Sequence, residues 1–218
     1  MSFFIHTEAD LKTAADALVA LDPRFRAIMA VAGSPPLRRR EAGFAGIASI
    51  VVSQQLSTAS AAAIWGRLAA MVDPFEAAEF LKIRTPRLQR AGLSVAKIKT
   101  LKAVARALDS GALDLAGLAD LSADAAHATL TSLYGIGPWT ADIYLLFRLG
   151  HADAWPAGDL ALQEAARLAF TLKVRPTARE MLPLAEMWRP WRGVAARILW
   201  SYYRTVKGRE AVPVNPTT

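Results

Sequence analysis

The segment LYGIGPWTAD, residues 133 to 142, combines residue types that suit an anion-binding turn. Gly135 and Gly137 permit positive φ angles and close backbone approach, and Pro138 suits the first turn of a helix. We therefore predict a helix over residues 122 to 133, a glycine hairpin, and a second helix with an apolar face. Unpaired N–H groups at the start of the second helix would favour a phosphate. Glycine turns between helices are common, so the pattern alone is weak evidence for such a site.

A carboxylate follows in the segment WPAGDLAL. Asp159 comes directly after Pro156, Ala157 and Gly158, and precedes an apolar pattern that predicts a helix to about Leu172. Aspartate at such a place commonly caps a helix, and hydrogen bonds from backbone N–H groups favour its ionised form. An ionised carboxylate also suits glycosidic bond cleavage, because the sugar gains oxocarbenium-ion character. The two roles are compatible.

A third polar feature interrupts the segment GFAGIASIVVSQQLSTASAAAIWGRLAAMV, residues 43 to 72. Its middle is too polar for a membrane helix, and Ser57 can cap a second helix. We predict two helices that meet at Gln54, Gln55 and Leu56. Two interpretations stay open: a solvated turn, or a probe that inserts into a nucleic acid or bonds base edges.

Composition limits the function classes. The 218 residues are 53% hydrophobic and 21% charged, which is typical of a globular protein with a sizeable core. The absence of cysteine excludes disulfides, thiolate zinc sites, cysteine-ligated iron–sulfur clusters and a cysteine nucleophile, and three scattered histidines argue against a histidine metal site. The net charge of +7 favours a polyanionic partner such as nucleic acid, although it also serves solubility.

The elements around these residues are predicted to be helical. N-cap signals stand at Thr7, Ser94, Ser122 and Thr177, and Asp73-Pro74 predicts a further helix start. No long stretch alternates with period two, so we expect about ten short helices in a compact bipartite bundle. We find neither a signal-peptide pattern nor an apolar run of roughly 20 residues, and expect a cytoplasmic location without a membrane segment.

The stretch LYGIGPWTADIYLLFRLGHADAWPAGDLAL resembles the helix-hairpin-helix, Gly/Pro-rich loop and aspartate of base-excision DNA glycosylases. Within that superfamily the chain resembles the 3-methyladenine DNA glycosylase II family. Three further stretches share the resemblance, which covers most of residues 43 to 202: SIVVSQQLSTASAAAIWGRL, AGLSVAKIKTLKAVARAL and AEMWRPWRGVAARILW.

The resemblance implies an all-α fold with a cleft between two helical subdomains. Residues 1–218 would form one bipartite unit, with the helix-hairpin-helix in 122–149 and the catalytic loop and helix in 150–172. Longer bacterial members carry an N-terminal β-rich domain, so the short stretch before Gly43 suggests the compact form. The absence of cysteine argues against the branches that hold an iron–sulfur cluster.

The resemblance also implies a reaction. The protein would flip out alkylated purines of the 3-methyladenine and 7-methylguanine type and hydrolyse the N-glycosidic bond, leaving an abasic site. Asp159 would be the catalytic carboxylate, and Trp139 and Trp200 would line the base pocket. Trp139 stands where lyase-competent relatives carry lysine, so a monofunctional glycosylase is expected. Two alternatives stay open: a non-catalytic DNA-binding scaffold, and a glycosylase for uracil, hypoxanthine or ethenoadenine.

For binding, the resemblance implies a monomer that holds damaged double-stranded DNA and needs no cofactor beyond a structural sodium or potassium ion. Gln55 would be the wedge that enters the gap left by the flipped nucleotide. The implied DNA-binding residues are Gln54, Gln55, Leu56, Gly135, Gly137 and Thr140. The implied ion ligands are the main-chain carbonyls of Thr131, Leu133 and Gly135. Further candidate phosphate contacts are Arg38, Arg39, Arg40, Lys97, Lys99 and Lys102.

Overall fold

Twelve α-helices account for most of residues 3–208, the part of the chain that the computed structural model describes. In chain order they are α1 (Glu8–Leu21), α2 (Arg24–Ala32), α3 (Gly43–Ser53), α4 (Thr58–Ala69), α5 (Ala77–Lys82), α6 (Thr85–Arg90), α7 (Val95–Asp109), α8 (Ala123–Thr131), α9 (Pro138–Tyr144), α10 (Leu160–Ala169), α11 (Ala178–Glu186) and α12 (Arg192–Lys207). A 3-10 turn, Gly117–Asp120, precedes α8, and a π-helical turn, Leu145–Leu149, extends α9.

The predicted all-α class is confirmed, with somewhat more helices than the ten expected. Pairing of β type within residues 3–208 is limited to one isolated bridge between Phe4 and His151. Of the predicted unit 1–218, residues 1–2 and 209–218 lie outside the described residues. None of the described helices is long and apolar enough to cross a bilayer.

Side-chain caps define several helix starts as expected. Thr7 and Thr177 form capping boxes with Asp10 and Glu180, and Ser122 accepts a hydrogen bond from the backbone of the first turn of α8. The predicted helix start at Asp73-Pro74 is wrong. Its peptide bond is cis, and α5 begins three residues later at Ala77.

The helices pack in two groups around one continuous core. In one group α12 contacts α1, α2 and α10, and in the other α3 contacts α4 and α7 while α5 and α6 also pack on α7. Helix α9 contacts both α3 and α8, so the predicted hairpin sits beside the second group. Buried apolar side chains from both groups form a single cluster, which joins them.

The loop that leads to α10 is fixed at its start by the N-terminal segment. Ile5 donates to the carbonyl of Gly150 at 2.7 Å, and Ala152 donates to the carbonyl of Phe3 at 2.9 Å. At the start of α12, the N–H of Gly193 donates to the carbonyl of Ala152 at 2.8 Å, and a Cβ on Gly193 would lie 2.6 Å from the Leu146 side chain. Glycine therefore allows α12 to approach this loop closely.

Candidate active site

The glycine hairpin links α8 to α9. Gly135 has a φ of +79°, and a Cβ there would collide with the hydroxyl of Thr100 on α7. Glycine is thus required at 135 by both conformation and space. Gly137 differs, because its φ is −85° and a Cβ there would meet no atom within 4 Å. The hairpin therefore leaves open space in front of Gly137, which is the N-cap of α9.

Asp159 is the N-cap of α10, as predicted, and its carboxylate accepts three hydrogen bonds. Oδ1 accepts from the backbone N–H of Leu162 at 2.8 Å and from the indole Nε1 of Trp200 at 3.1 Å. Oδ2 accepts from the indole Nε1 of Trp139 at 2.8 Å. The side chain is otherwise buried, with 8% of its residue surface exposed. A carboxylate has about four acceptor positions, so one position on Oδ2 remains for another partner.

The two tryptophans predicted for a base pocket therefore meet at Asp159. Trp139 lies in the first turn of α9 and Trp200 lies on α12, so the carboxylate joins three helices. Their indole edges face the carboxylate, a contact that the sequence analysis did not include. Contact between their ring faces and a base stays a prediction.

Behind Trp200 lies an aromatic and cationic layer. The Trp200 ring stacks on Phe147 with centroids 5.8 Å apart, and the Arg197 guanidinium lies 4.5 Å from the Phe147 centroid. Arg197 is buried and donates to the carbonyls of Leu37 and Leu146. Burial lowers the pKa of Arg197 to about 9. This layer packs against the Trp200 ring.

The junction between α3 and α4 adopts a tight turn at Gln54, Gln55 and Leu56. Gln55 is exposed and has a φ of +57°, which is uncommon for a residue with a side chain. Leu56 is also exposed, whereas the Gln54 amide Nε2 donates to the hydroxyl of Thr140 on α9 at 2.7 Å. This hydrogen bond links the junction to α9, and Thr140 itself is buried. Direct contacts of these four residues with DNA stay predictions.

Lys97, a candidate phosphate contact from sequence, is engaged within the protein. Its Nζ donates to the carbonyls of Val52 and Gln54, at 2.8 Å each. Burial lowers its pKa. Arg38 and Arg40 also have partners within the protein, and Lys99 is exposed. Lys97 is thus a partly buried anchor of the junction.

Two titratable groups near the hairpin went unnoticed in the sequence. Asp142 on α9 is buried, and burial raises its pKa to about 8. His127 on α8 lies close by, with its Nε2 3.8 Å from Asp142 Oδ2, and burial lowers the pKa of this histidine. The residues directly before and after Asp142 are apolar, and nothing at position 142 itself indicates burial. Only the packing of α9 shows that this carboxyl group lies inside the protein.

An ion-pair network fixes the start of α12. Arg192, which is 4% exposed, donates to Asp153 Oδ1 at 2.9 Å and to Asp124 Oδ1 at 2.9 Å. Arg189 adds contacts to the same two carboxylates. The network connects α8, the loop before α10, and α12, which carries Trp200. Within residues 3–208, no group of three or more His, Asp or Glu side chains could hold a metal ion.

Comparison with known proteins finds relatives among DNA repair enzymes. DNA-3-methyladenine glycosylase 1 of Schizosaccharomyces pombe is 34% identical over 154 residues, which cover 69% of this chain and 68% of the relative. A probable bifunctional transcriptional activator/DNA repair enzyme AlkA of Mycobacterium tuberculosis is 32% identical over 208 residues. The aligned region covers 89% of this chain but only 40% of that relative.

Solved structures show the same fold. A DNA-3-methyladenine glycosidase from Bacillus halodurans superposes with a TM-score of 0.82 at 27% identity, covering 97% of this chain and 96% of the other. The S. pombe 3-methyladenine DNA glycosylase in complex with abasic DNA superposes with a TM-score of 0.75 at 27% identity, covering 94% and 100%.

The family model described as HhH-GPD superfamily base excision DNA repair protein matches residues 48–190, a range that contains the junction, the hairpin and Asp159. The match extends over more than half of the chain. This protein therefore belongs to the HhH-GPD superfamily of base excision DNA repair proteins.

Proposed function

We propose that this protein is a monofunctional DNA glycosylase that removes alkylated purines of the 3-methyladenine and 7-methylguanine type. The observation that carries the proposal is the Asp159 carboxylate, held by three N–H donors with one acceptor position left over. Family membership and relatives named as 3-methyladenine glycosylases support it. Phosphate binding alone would need neither a buried carboxylate nor two indole donors aimed at it.

The proposed binding step uses the hairpin and the junction. Backbone N–H groups at Gly135 and Gly137 would meet a DNA phosphate in the space that Gly137 leaves open. Gln55 would enter the gap left by the extruded nucleotide, flanked by Gln54 and Leu56. Extrusion costs a few kcal/mol of stacking and pairing, and damaged bases cost less to extrude. The S. pombe relative was solved in complex with abasic DNA, which supports DNA as the ligand.

The proposed chemical step is hydrolysis at the anomeric carbon. The bond between C1′ and the base nitrogen breaks, and its electron pair neutralises the cationic alkylated base, which leaves without needing a strong general acid. Asp159 would stabilise the developing positive charge on the sugar and orient the water that bonds to C1′. The water proton passes to the carboxylate or to solvent. Water is the only co-substrate, so no redox cofactor is needed.

Strand cleavage is not part of the proposed reaction. A lyase would need an amine that attacks C1′ and forms a Schiff base. Trp139 occupies the position where lyase-competent relatives carry lysine, and its indole N–H is bonded to Asp159. We therefore expect an abasic product with an intact strand.

A monovalent cation at the hairpin is a further part of the proposal. Helix α8 ends at Thr131, so the carbonyl of Thr131 in its last turn lacks an intrahelical partner, and the carbonyl of Leu133 accepts one hydrogen bond from the N–H of Ile136 at 3.1 Å. Neutral carbonyl oxygens of this kind suit sodium or potassium. The carbonyls of Thr131, Leu133 and Gly135 would hold the ion in a structural role. We further propose that the protein acts as a monomer on chromosomal DNA in the cytoplasm.

A release assay tests the proposed activity. Purified protein would be incubated with duplexes carrying 7-methylguanine, 3-methyladenine, uracil, hypoxanthine, ethenoadenine or 8-oxoguanine, with free base and strand breaks measured separately. We expect release of the methylated purines without strand cleavage and without borohydride-trapped protein–DNA adduct. Release of only deaminated or etheno bases would change the substrate class, a trapped adduct would contradict the monofunctional mechanism, and no release would favour a DNA-binding scaffold.

A further inference from the structure

The last carbonyls of α3 are held by a side chain from another helix. The final carbonyl groups of a helix lack intrahelical partners. The carbonyl of Val52 in the last turn of α3 and that of Gln54, the C-cap, both accept from Lys97 Nζ, at 2.8 Å each. Lys97 is itself fixed in the first turn of α7, where its backbone N–H bonds the capping Ser94 hydroxyl at 3.3 Å. The end of α3 is therefore anchored to the start of α7.

A second contact, with α9, holds the same turn. The Gln54 side chain bonds Thr140 of α9 at 2.7 Å, next to Trp139, which bonds Asp159 at 2.8 Å. Gln54 thus engages Lys97 with its main chain and the hairpin helix with its side chain. Its neighbour Gln55, the predicted wedge, is left exposed.

The wedge residue has a conformation that needs support. Its φ of +57° lies in the left-handed region, which side-chain-bearing residues rarely adopt. Such conformations persist when the surrounding structure fixes them. Here the fixing contacts are on the residue directly before Gln55, and they come from Lys97 and Thr140.

Lys97 is poorly placed to act as a phosphate contact. Two of the three ammonium donors are used by the carbonyls of Val52 and Gln54, and the side chain is partly buried. We propose that Lys97 is a positioning residue that holds the α3–α4 turn so that Gln55 can replace an extruded nucleotide, a role that rests on the glycosylase function proposed above.

A double-mutant cycle tests this role. Lys97→Met, Gln55→Ala and the double variant would be compared in single-turnover release of 7-methylguanine from paired duplex and from single-stranded DNA. We expect Lys97→Met to slow release from duplex by about tenfold and from single strands by less than about twofold, because only duplex needs a wedge. In the Gln55→Ala background the same change should cost less than about twofold. Equal losses on both substrates, or multiplicative losses in the double variant, would overturn the proposal.

The salt dependence of binding gives an independent readout. Affinity for duplex with a tetrahydrofuran abasic analogue would be measured across salt concentrations, with Lys82→Met as the charge-matched control, since Lys82 is an exposed lysine paired with Glu79. Loss of a phosphate contact lowers the log–log slope by about one. We expect the Lys97→Met slope to equal that of the control, and a slope lower by about one would overturn the proposal.

A second variant, Lys97→Arg, and the salt slope keep the role of Lys97 testable if Lys97→Met does not fold or the wild type releases no base. Should Lys97→Met fail to fold, Lys97→Arg would take its place, because the longer planar guanidinium keeps the charge but changes the donor geometry. Slower release from duplex than from single strands is the expected result, and wild-type rates would overturn the role. Should the wild type release no base, the proposed function fails, while the salt slope still reports on Lys97.

Discussion

At the scale of single residues, the hydrogen bonds to Asp159 are compatible with both a helix cap and the proposed catalytic role. The backbone N–H of Leu162 serves the cap, while the indoles of Trp139 and Trp200 fix the orientation of both oxygens. Hydrogen bonds to an ionised group are each worth about 1.5–3 kcal/mol. The carboxylate is therefore preorganised for positive charge that develops beside it.

Trp139→Phe and Trp200→Phe test this arrangement. Each change keeps an aromatic face but removes the N–H donor to Asp159. We expect each to slow single-turnover release of methylated base by at least about tenfold, which corresponds to about 1.4 kcal/mol, with binding of abasic-analogue duplex little changed. Rates within twofold of wild type would show that the indole edges are dispensable and would restrict both residues to stacking.

Asp142→Asn tests the buried carboxyl on α9. Because burial raises the pKa of Asp142 to about 8, the group stays protonated in the fold but ionises in the unfolded chain above its ordinary value of 3.8. Its contribution to stability is thus fully present below about pH 4 and is lost as pH rises to 8. The asparagine variant lacks this loss, so its free energy of unfolding relative to wild type should rise across that window, by up to about 1.4 kcal/mol per pH unit. Urea unfolding of both proteins at several pH values measures this difference in the free energy of unfolding. A difference that does not change with pH would contradict a raised pKa of Asp142.

At the scale of elements, the two hairpin glycines differ in what requires them: the fold requires Gly135, whereas Gly137 suits ligand binding. Gly135 has a left-handed φ and no room for a Cβ against Thr100, whereas Gly137 has an ordinary φ and open space. The fold therefore demands the first glycine only. The second fits the close approach of a ligand to the backbone.

Gly135→Ala and Gly137→Ala form a matched pair. We expect Gly135→Ala to lower the free energy of unfolding by about 1–3 kcal/mol or more, because it adds both strain and a collision. Gly137→Ala should change it by less than about 1 kcal/mol while weakening binding of abasic-analogue duplex severalfold. Thermal unfolding and fluorescence anisotropy distinguish the two. Wild-type affinity in Gly137→Ala would argue against a phosphate at this turn.

The ion-pair network at the start of α12 offers another element-scale test. Arg192 is nearly buried and Arg189 is partly exposed, although both bond Asp153 and Asp124. Arg192→Met would leave Asp153 buried with fewer partners, so we expect a loss of about 3–5 kcal/mol. Arg189→Met should cost about 1 kcal/mol, as for an exposed pair. Similar losses in chemical denaturation would show that burial does not control this network.

At the scale of the whole molecule, two helices converge on the Asp159 carboxylate, and the junction after α3 is joined to one of them. The junction after α3 touches α9 through Gln54 and Thr140, α9 touches Asp159 through Trp139, and α12 touches it through Trp200. The single continuous core fixes the relative positions of these helices. The proposed wedge, phosphate site and catalytic group thus share one rigid frame.

Local signals explain what the sequence could predict. Helix caps such as Ser122 and Asp159, and the glycine turn, depend only on neighbours within a few residues. The sequence therefore predicts α8, α9 and α10. The convergence of Trp139 and Trp200 on Asp159 depends on helix packing, and no local pattern records it. Lys97 shows the same limit, since a lysine on an amphipathic helix looks solvated until the fold brings carbonyls within reach of it.

The most direct test of the central claim is release of 7-methylguanine from duplex DNA by Asp159→Asn beside wild type. Asparagine is also a good N-cap, so the fold should be largely kept, as thermal unfolding and binding of abasic-analogue duplex would show. Without the negative charge, we expect the single-turnover rate to fall by at least about a thousandfold, or about 4 kcal/mol of barrier. Release at the wild-type rate by folded Asp159→Asn would contradict the assignment of Asp159 as the catalytic carboxylate.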